Sequence, residues 1–159
     1  MDRYGTKAIL SYYAAIPGML ALLKKEKELI EAEYYGIRGL AGDSEVRGSS
    51  PGNPTERAAI RAAKDGARER LDEISEKTRV LVADAAAIRG CLDDLAGEYK
   101  QLVISRTLHG DTWAKISACS GVPESTARHW LRRAEERLGV LFDSLPAVDE
   151  LRVRASRAR

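Results

Sequence analysis

The chain has 159 residues, with 26 Lys and Arg against 24 Asp and Glu and a formal net charge of +2. Hydrophobic residues make up 44% and aromatics 6%, the profile of a soluble protein of one or two small helical domains and not of a barrel enzyme of ordinary size. The apolar stretch from Ala14 to Leu23 is cut by Pro17 and Gly18 and falls short of the roughly 20 residues of a bilayer span, so no membrane segment is expected. Met1 to Tyr4 lack the basic start of a secretory signal, and a cytoplasmic location is expected. Cys91 and Cys119 stand apart, with no histidine at ligand spacing. Both read as buried small hydrophobes and not as a zinc or disulfide pair.

Ile9, Tyr12, Ile16, Met19, Leu23, Ile30, Tyr34 and Ile37 recur in steps of three or four with a charged break at Lys24 to Glu28, the pattern of a long helix. Pro17 is expected to kink or split it. Residues 39–55 are dense in Gly, Ser and Pro and read as a loop. From Ile60 a second run (Ala63, Ala67, Leu71, Ile74, Thr78, Leu81, Ala85, Ile88, Leu92, Leu95) keeps a heptad-like seam over roughly five heptads, with Gly66 and Gly90 as weak points. Residues 1–95 are therefore predicted to form a long, coiled-coil-like antiparallel hairpin whose open edges invite a second copy of the chain, giving a homodimer. No strand pattern rises above noise, so the fold class is all-α.

Charge is uneven along the chain. Residues 1–97 carry 15 basic and 16 acidic side chains and residues 98–159 carry 11 and 8, so positive charge gathers at the C-terminal end. Residues 96–146 read as three helices. The first spans about Glu98 to Leu108 with Tyr99, Leu102, Val103 and Arg106 at helical spacing, and Gly110 stops it. The second is capped by Asp111 or Thr112 and turns Trp113, Ile116 and Ser117 inward. The third begins at Pro123 and sets Ala127, Trp130, Leu131, Ala134 and Leu138 on one side. Ser117, Gly121, Val122, Ala127 and Trp130 fall where a helix-turn-helix needs a small residue, a left-handed turn residue and apolar contacts.

With the core side so fixed, Ser125, Arg128, His129 and Arg132 point outward as expected base contacts, and Thr126, Arg133 and, one helix earlier, Lys115 as expected phosphate contacts on double-stranded DNA. The plain alternative for Arg128, Arg132, Arg133 and Arg137 is a solvated face paired with Glu135 and Glu136. Residues 147–159, rich in arginine, read as a flexible basic tail. No catalytic residue, metal site or cofactor is expected, His109 and His129 included, and the Gly-rich loop lacks a nucleotide-binding ending.

The stretches Gly110-Asp-Thr-Trp-Ala-Lys-Ile-Ser and Gly121-Val-Pro-Glu-Ser-Thr-Ala-Arg resemble the C-terminal promoter-recognition domain of bacterial sigma factors and, more closely, phage regulators of the RinA and ArpU type. Asp43-Ser-Glu-Val-Arg-Gly-Ser-Ser-Pro also resembles a Val-Gln-Ser-Ser type loop of related phage families. The resemblance implies a phage or prophage transcriptional regulator, with possible contact to RNA polymerase. Ser120, Pro123 and Ala127 depart from the pattern, each at an expected cost on the order of 1 kcal/mol in packing or capping. A DNA-packaging recognition subunit of the small-terminase kind and a protein-only helical adaptor are the alternatives.

Overall fold

A computed structural model describes residues 3–40 and 54–158. Among them every regular element is helical: α1 (Arg3–Leu40), α2 (Pro54–Asp93), α3 (Gly97–Val103), a π-turn (Ile104–Leu108), α4 (Trp113–Ser120), α5 (Glu124–Asp143) and α6 (Val148–Arg157). The all-α class expected from the sequence is what the structure has. The loop expected at 39–55 lies almost wholly outside the described residues.

α1 does not split at Pro17, which lies inside one continuous helix. Proline lacks the N–H that would bond the carbonyl of Tyr13, and the missing bond does not end the helix. The chain nevertheless divides there into two compact units, Met1–Pro17 with Val82–Arg159, and Gly18–Leu81. The expected boundary near residue 95 is thus displaced, because the first turns of α1 and the last turns of α2 pack with the C-terminal helices. Uninterrupted by Pro17, Tyr4–Gly36 is by length and composition apolar enough to cross a membrane, contrary to the expectation drawn from that proline. Ile9, Leu10, Tyr12 and Ile16 from this stretch are buried in the first unit.

In the unit Gly18–Leu81, Ile30, Ala67 and Ile74 are buried together, flanked by Leu23, Tyr34 and Leu71. These are seam positions of both predicted helices. Arg70 reaches Glu33 across them at 3.9 Å, an exposed pair that contributes little. Gly66 does not interrupt α2, nor does Gly90 further on.

The other unit buries Ile88, Cys91, Leu92 and Leu95 from α2 and the turn after it, Leu102 and Val103 from α3, and Leu138 and Phe142 from α5. Its polar fastening was not anticipated. Asp84, 7% exposed, lies on α2 beside the apolar seam. It accepts hydrogen bonds from Tyr12 Oη at 2.8 Å and from Arg154 Nε and Nη2 at 2.7 Å each. Arg154 belongs to α6, and Leu151 and Ala155 of the same helix are buried at 2% and 1%. The stretch expected as a flexible tail is therefore a packed helix through Arg157, since two apolar residues four apart give it an inward stripe and the charge between them finds an acceptor.

Candidate nucleic-acid interface

The segment from Gly110 to Asp143 is shaped by two backbone devices. Gly110 and Gly121 take φ of +66° and +68°, the left-handed region that side chains resist. At the first, the chain leaves the π-turn, with the His109 N–H bonded to the Ile104 carbonyl at 3.2 Å and the Asp111 N–H to the Ser105 carbonyl at 3.0 Å. Thr112 then caps α4, its hydroxyl accepting from the Lys115 N–H at 3.3 Å. At the second, the Gly121 N–H closes on the Ser117 carbonyl at 2.9 Å. Ser120 Oγ donates to the Ile116 carbonyl at 2.8 Å and accepts from the Val122 N–H at 3.4 Å. The serine that stands where the resembled pattern has leucine thus supplies hydrogen bonds to the turn in place of packing.

Pro123 is the residue before α5, with φ −54° and ψ 144°, and not its first helical residue. That extended ψ is the conformation of a capping position, and helical geometry starts at Glu124. α5 runs on to Asp143. Of the predicted inward stripe Ala127, Leu131, Ala134 and Leu138 are buried, and the stripe continues beyond it to the buried Phe142. Trp130 is half-buried and meets Tyr99 of α3 edge to face, ring centroids 6.3 Å apart. Ile116 is the buried residue of α4. Cys91 is buried as expected, but Cys119 is exposed although it lies within one turn of the buried Ile116.

Of the residues singled out on α5, Ser125, His129, Arg132 and Arg133 are exposed and lie opposite the buried stripe. Arg128 is exposed too but sits to one side, its guanidinium 3.1 Å from Glu124 Oε2 and 4.8 Å from the centroid of the Trp113 ring. Thr126 is half-buried. Lys115, on α4, donates to Asp111 Oδ1 at 2.6 Å, and that bond raises its ammonium pKa. The pairing with Glu135 and Glu136 weighed as the plain alternative is not made by Arg128. Among the described residues Arg132 and Arg133 have no ion-pair partner.

Trp113 is half-buried and carries two guanidinium groups, not the inward packing expected of it. Arg106, from the π-turn, lies 5.0 Å from the ring centroid and donates to the Asp111 carbonyl at 2.8 Å. Cation–π attraction holds both arginines in place. Beside them is a groove of about 440 Å³ that Lys7, Leu10 and Ser11 of α1 line together with Arg106, Arg128 and Arg132. Glu135 lies 3.9 Å from Lys7. Sequence spacing marked Arg106 only as part of a helical stripe. Nothing local to Lys7 or Ser11 signalled that they face α5, more than a hundred residues away.

No group of three His, Cys, Asp or Glu side chains among the described residues is placed to hold a metal ion. Compared with protein-family models, curated proteins and solved structures, the chain matches none.

Proposed function

We propose that the chain is a sequence-specific DNA-binding transcriptional regulator of the kind encoded by phages and prophages, acting in a cytoplasm and reading the major groove with α5. The observation that carries this reading is the left-handed Gly121, which joins α4 to a helix whose solvent face bears Ser125, His129, Arg132 and Arg133 in one row. Such a turn supports the reading of α4 and α5 as a helix-turn-helix, in which the second helix offers its early residues to base edges. Arginine forks guanine, while serine and histidine bond bases or phosphates. α5 gains anchorage from Phe142 and Leu138, both fully buried.

Dimerisation through α1 belongs to the same reading, because Leu22 and Leu29 stand one heptad apart with 68% and 72% of their surface exposed. Two copies would present two recognition helices to a pair of half-sites.

Selection of bound duplexes from a random pool, followed by gel-shift titration, tests the proposal. An enriched motif is expected, and Arg132→Ala should lose about 1 to 3 kcal/mol on it and relax preference at one position. No enrichment at low salt overturns the reading and favours the protein-only adaptor. A ring of many chains in light scattering favours the packaging subunit.

A further inference from the structure

We infer that the groove between α1 and α5 is a phosphate site, and that the phosphate it takes is one of the DNA backbone flanking the bases read by α5. This rests on the regulator reading above. Lys7, Arg106, Arg128 and Arg132 bring four positive charges to the groove wall from α1, the π-turn and α5, against one carboxylate, Glu135. Ser11 and Thr107 add hydroxyl donors.

The charges differ in how firmly they are held. Arg106 and Arg128 each stand within 5.0 Å of the Trp113 ring centroid, so cation–π attraction holds both guanidiniums at the wall of the groove that they line. Glu124 offsets part of the charge of Arg128. Lys7 meets the carboxylate of Glu135 only at 3.9 Å and keeps 47% of its side chain exposed, leaving its ammonium protons available to a closer acceptor. Arg132 lines the groove and also belongs to the outward row of α5. The groove and the base-reading face are therefore one continuous surface, which favours a polymer phosphate over an isolated anion. Arg128, expected to read a base, becomes a phosphate contact.

Lys7→Gln is the informative variant, because Lys7 is half exposed and its loss leaves the Trp113 stack untouched. On the selected duplex and on an unrelated one, fluorescence anisotropy should show both affinities falling by the same factor, roughly 3-fold to 10-fold. The slope of log affinity against log salt should flatten by about one, and base preference should stay unchanged. Lys7→Arg should restore most of the loss. Parental affinity and slope in Lys7→Gln overturn the inference, as does a change of base preference.

If the parent chain binds no duplex at low salt, the regulator reading has failed and the DNA assignment of the groove fails with it. Inorganic pyrophosphate then decides the remainder, with Trp130→Phe leaving Trp113 as the only indole. A saturable fluorescence change that Lys7→Gln abolishes upholds an anion site, and no change overturns that as well.

Discussion

Arg154 holds Asp84 by a two-bond fork across 70 residues of sequence, each bond 2.7 Å long. Tyr12 adds a third donor to the same carboxylate at 2.8 Å. A buried carboxylate is tolerable only with its oxygens satisfied, and here α1 and α6 satisfy it together on α2. The fork raises the pKa of Arg154, chiefly through its hydrogen bonds to Asp84. Asp84→Ala removes the acceptor shared by both partners and should cost about 3 to 5 kcal/mol, read as a lower urea midpoint. Arg154→Ala leaves the buried carboxylate with Tyr12 as its one remaining donor among these three bonds and without the counter-charge of Arg154, and should cost at least as much. Equal midpoints in the Asp84→Ala variant and the parent would show that the fork contributes nothing.

Alkaline pH should attack the same junction. Burial, then the hydrogen bond to Asp84, push the Tyr12 phenol from 10.0 up to about 12. Because the folded state holds this proton more tightly than the unfolded chain, the stabilisation is complete below pH 10 and declines as pH rises toward 12. Thermal midpoints measured upward from about pH 9 should fall by more in the parent than in Tyr12→Phe. Parallel curves for the two proteins would remove Tyr12 from the account.

Gly121 offers a test of the turn. A Cβ there would meet no atom within 4 Å, so the cost of Gly121→Ala comes from the backbone angle alone, about 1 to 2 kcal/mol. Gly121→Asn should cost less, since asparagine enters the left-handed region more readily. Chemical denaturation of the two variants checks the order.

The two thiols should separate cleanly. Cys119 is exposed and Cys91 buried, and burial raises the pKa of the Cys91 thiol, which withholds the reactive thiolate. A thiol reagent at neutral pH should label Cys119 in the native protein and Cys91 only after unfolding. Fast native labelling of both would contradict the packing of α2.

What could be read in advance follows from the range of the interactions. The α4–turn–α5 segment depends on residues a few positions apart, so Gly110, Gly121, Ile116 and the Ala127 to Leu138 stripe stood out as spacing. α6 did not, because Leu151 and Ala155 are a thin apolar signal among arginines and the partner that fixes Arg154 lies 70 residues earlier. Asp84 gave no signal among the polar positions of α2, since burial of a charge is invisible until its donors are brought to it. Trp113 was assigned inward by the same periodicity that placed Ile116. Periodicity gives a direction and cannot foresee that Arg106 and Arg128 cover the ring.

The Tyr12–Asp84–Arg154 junction also bears on the order in which the molecule assembles. On a ribosome, the opening turns of α1 emerge long before Arg154 is translated, whereas Ile30, Ala67 and Ile74 are all available by mid-synthesis. The nascent chain can settle its interior segment first, with Ile9, Leu10 and Ile16 left waiting for partners encoded at the far end of the message. That interval is when the protein would most need a chaperone.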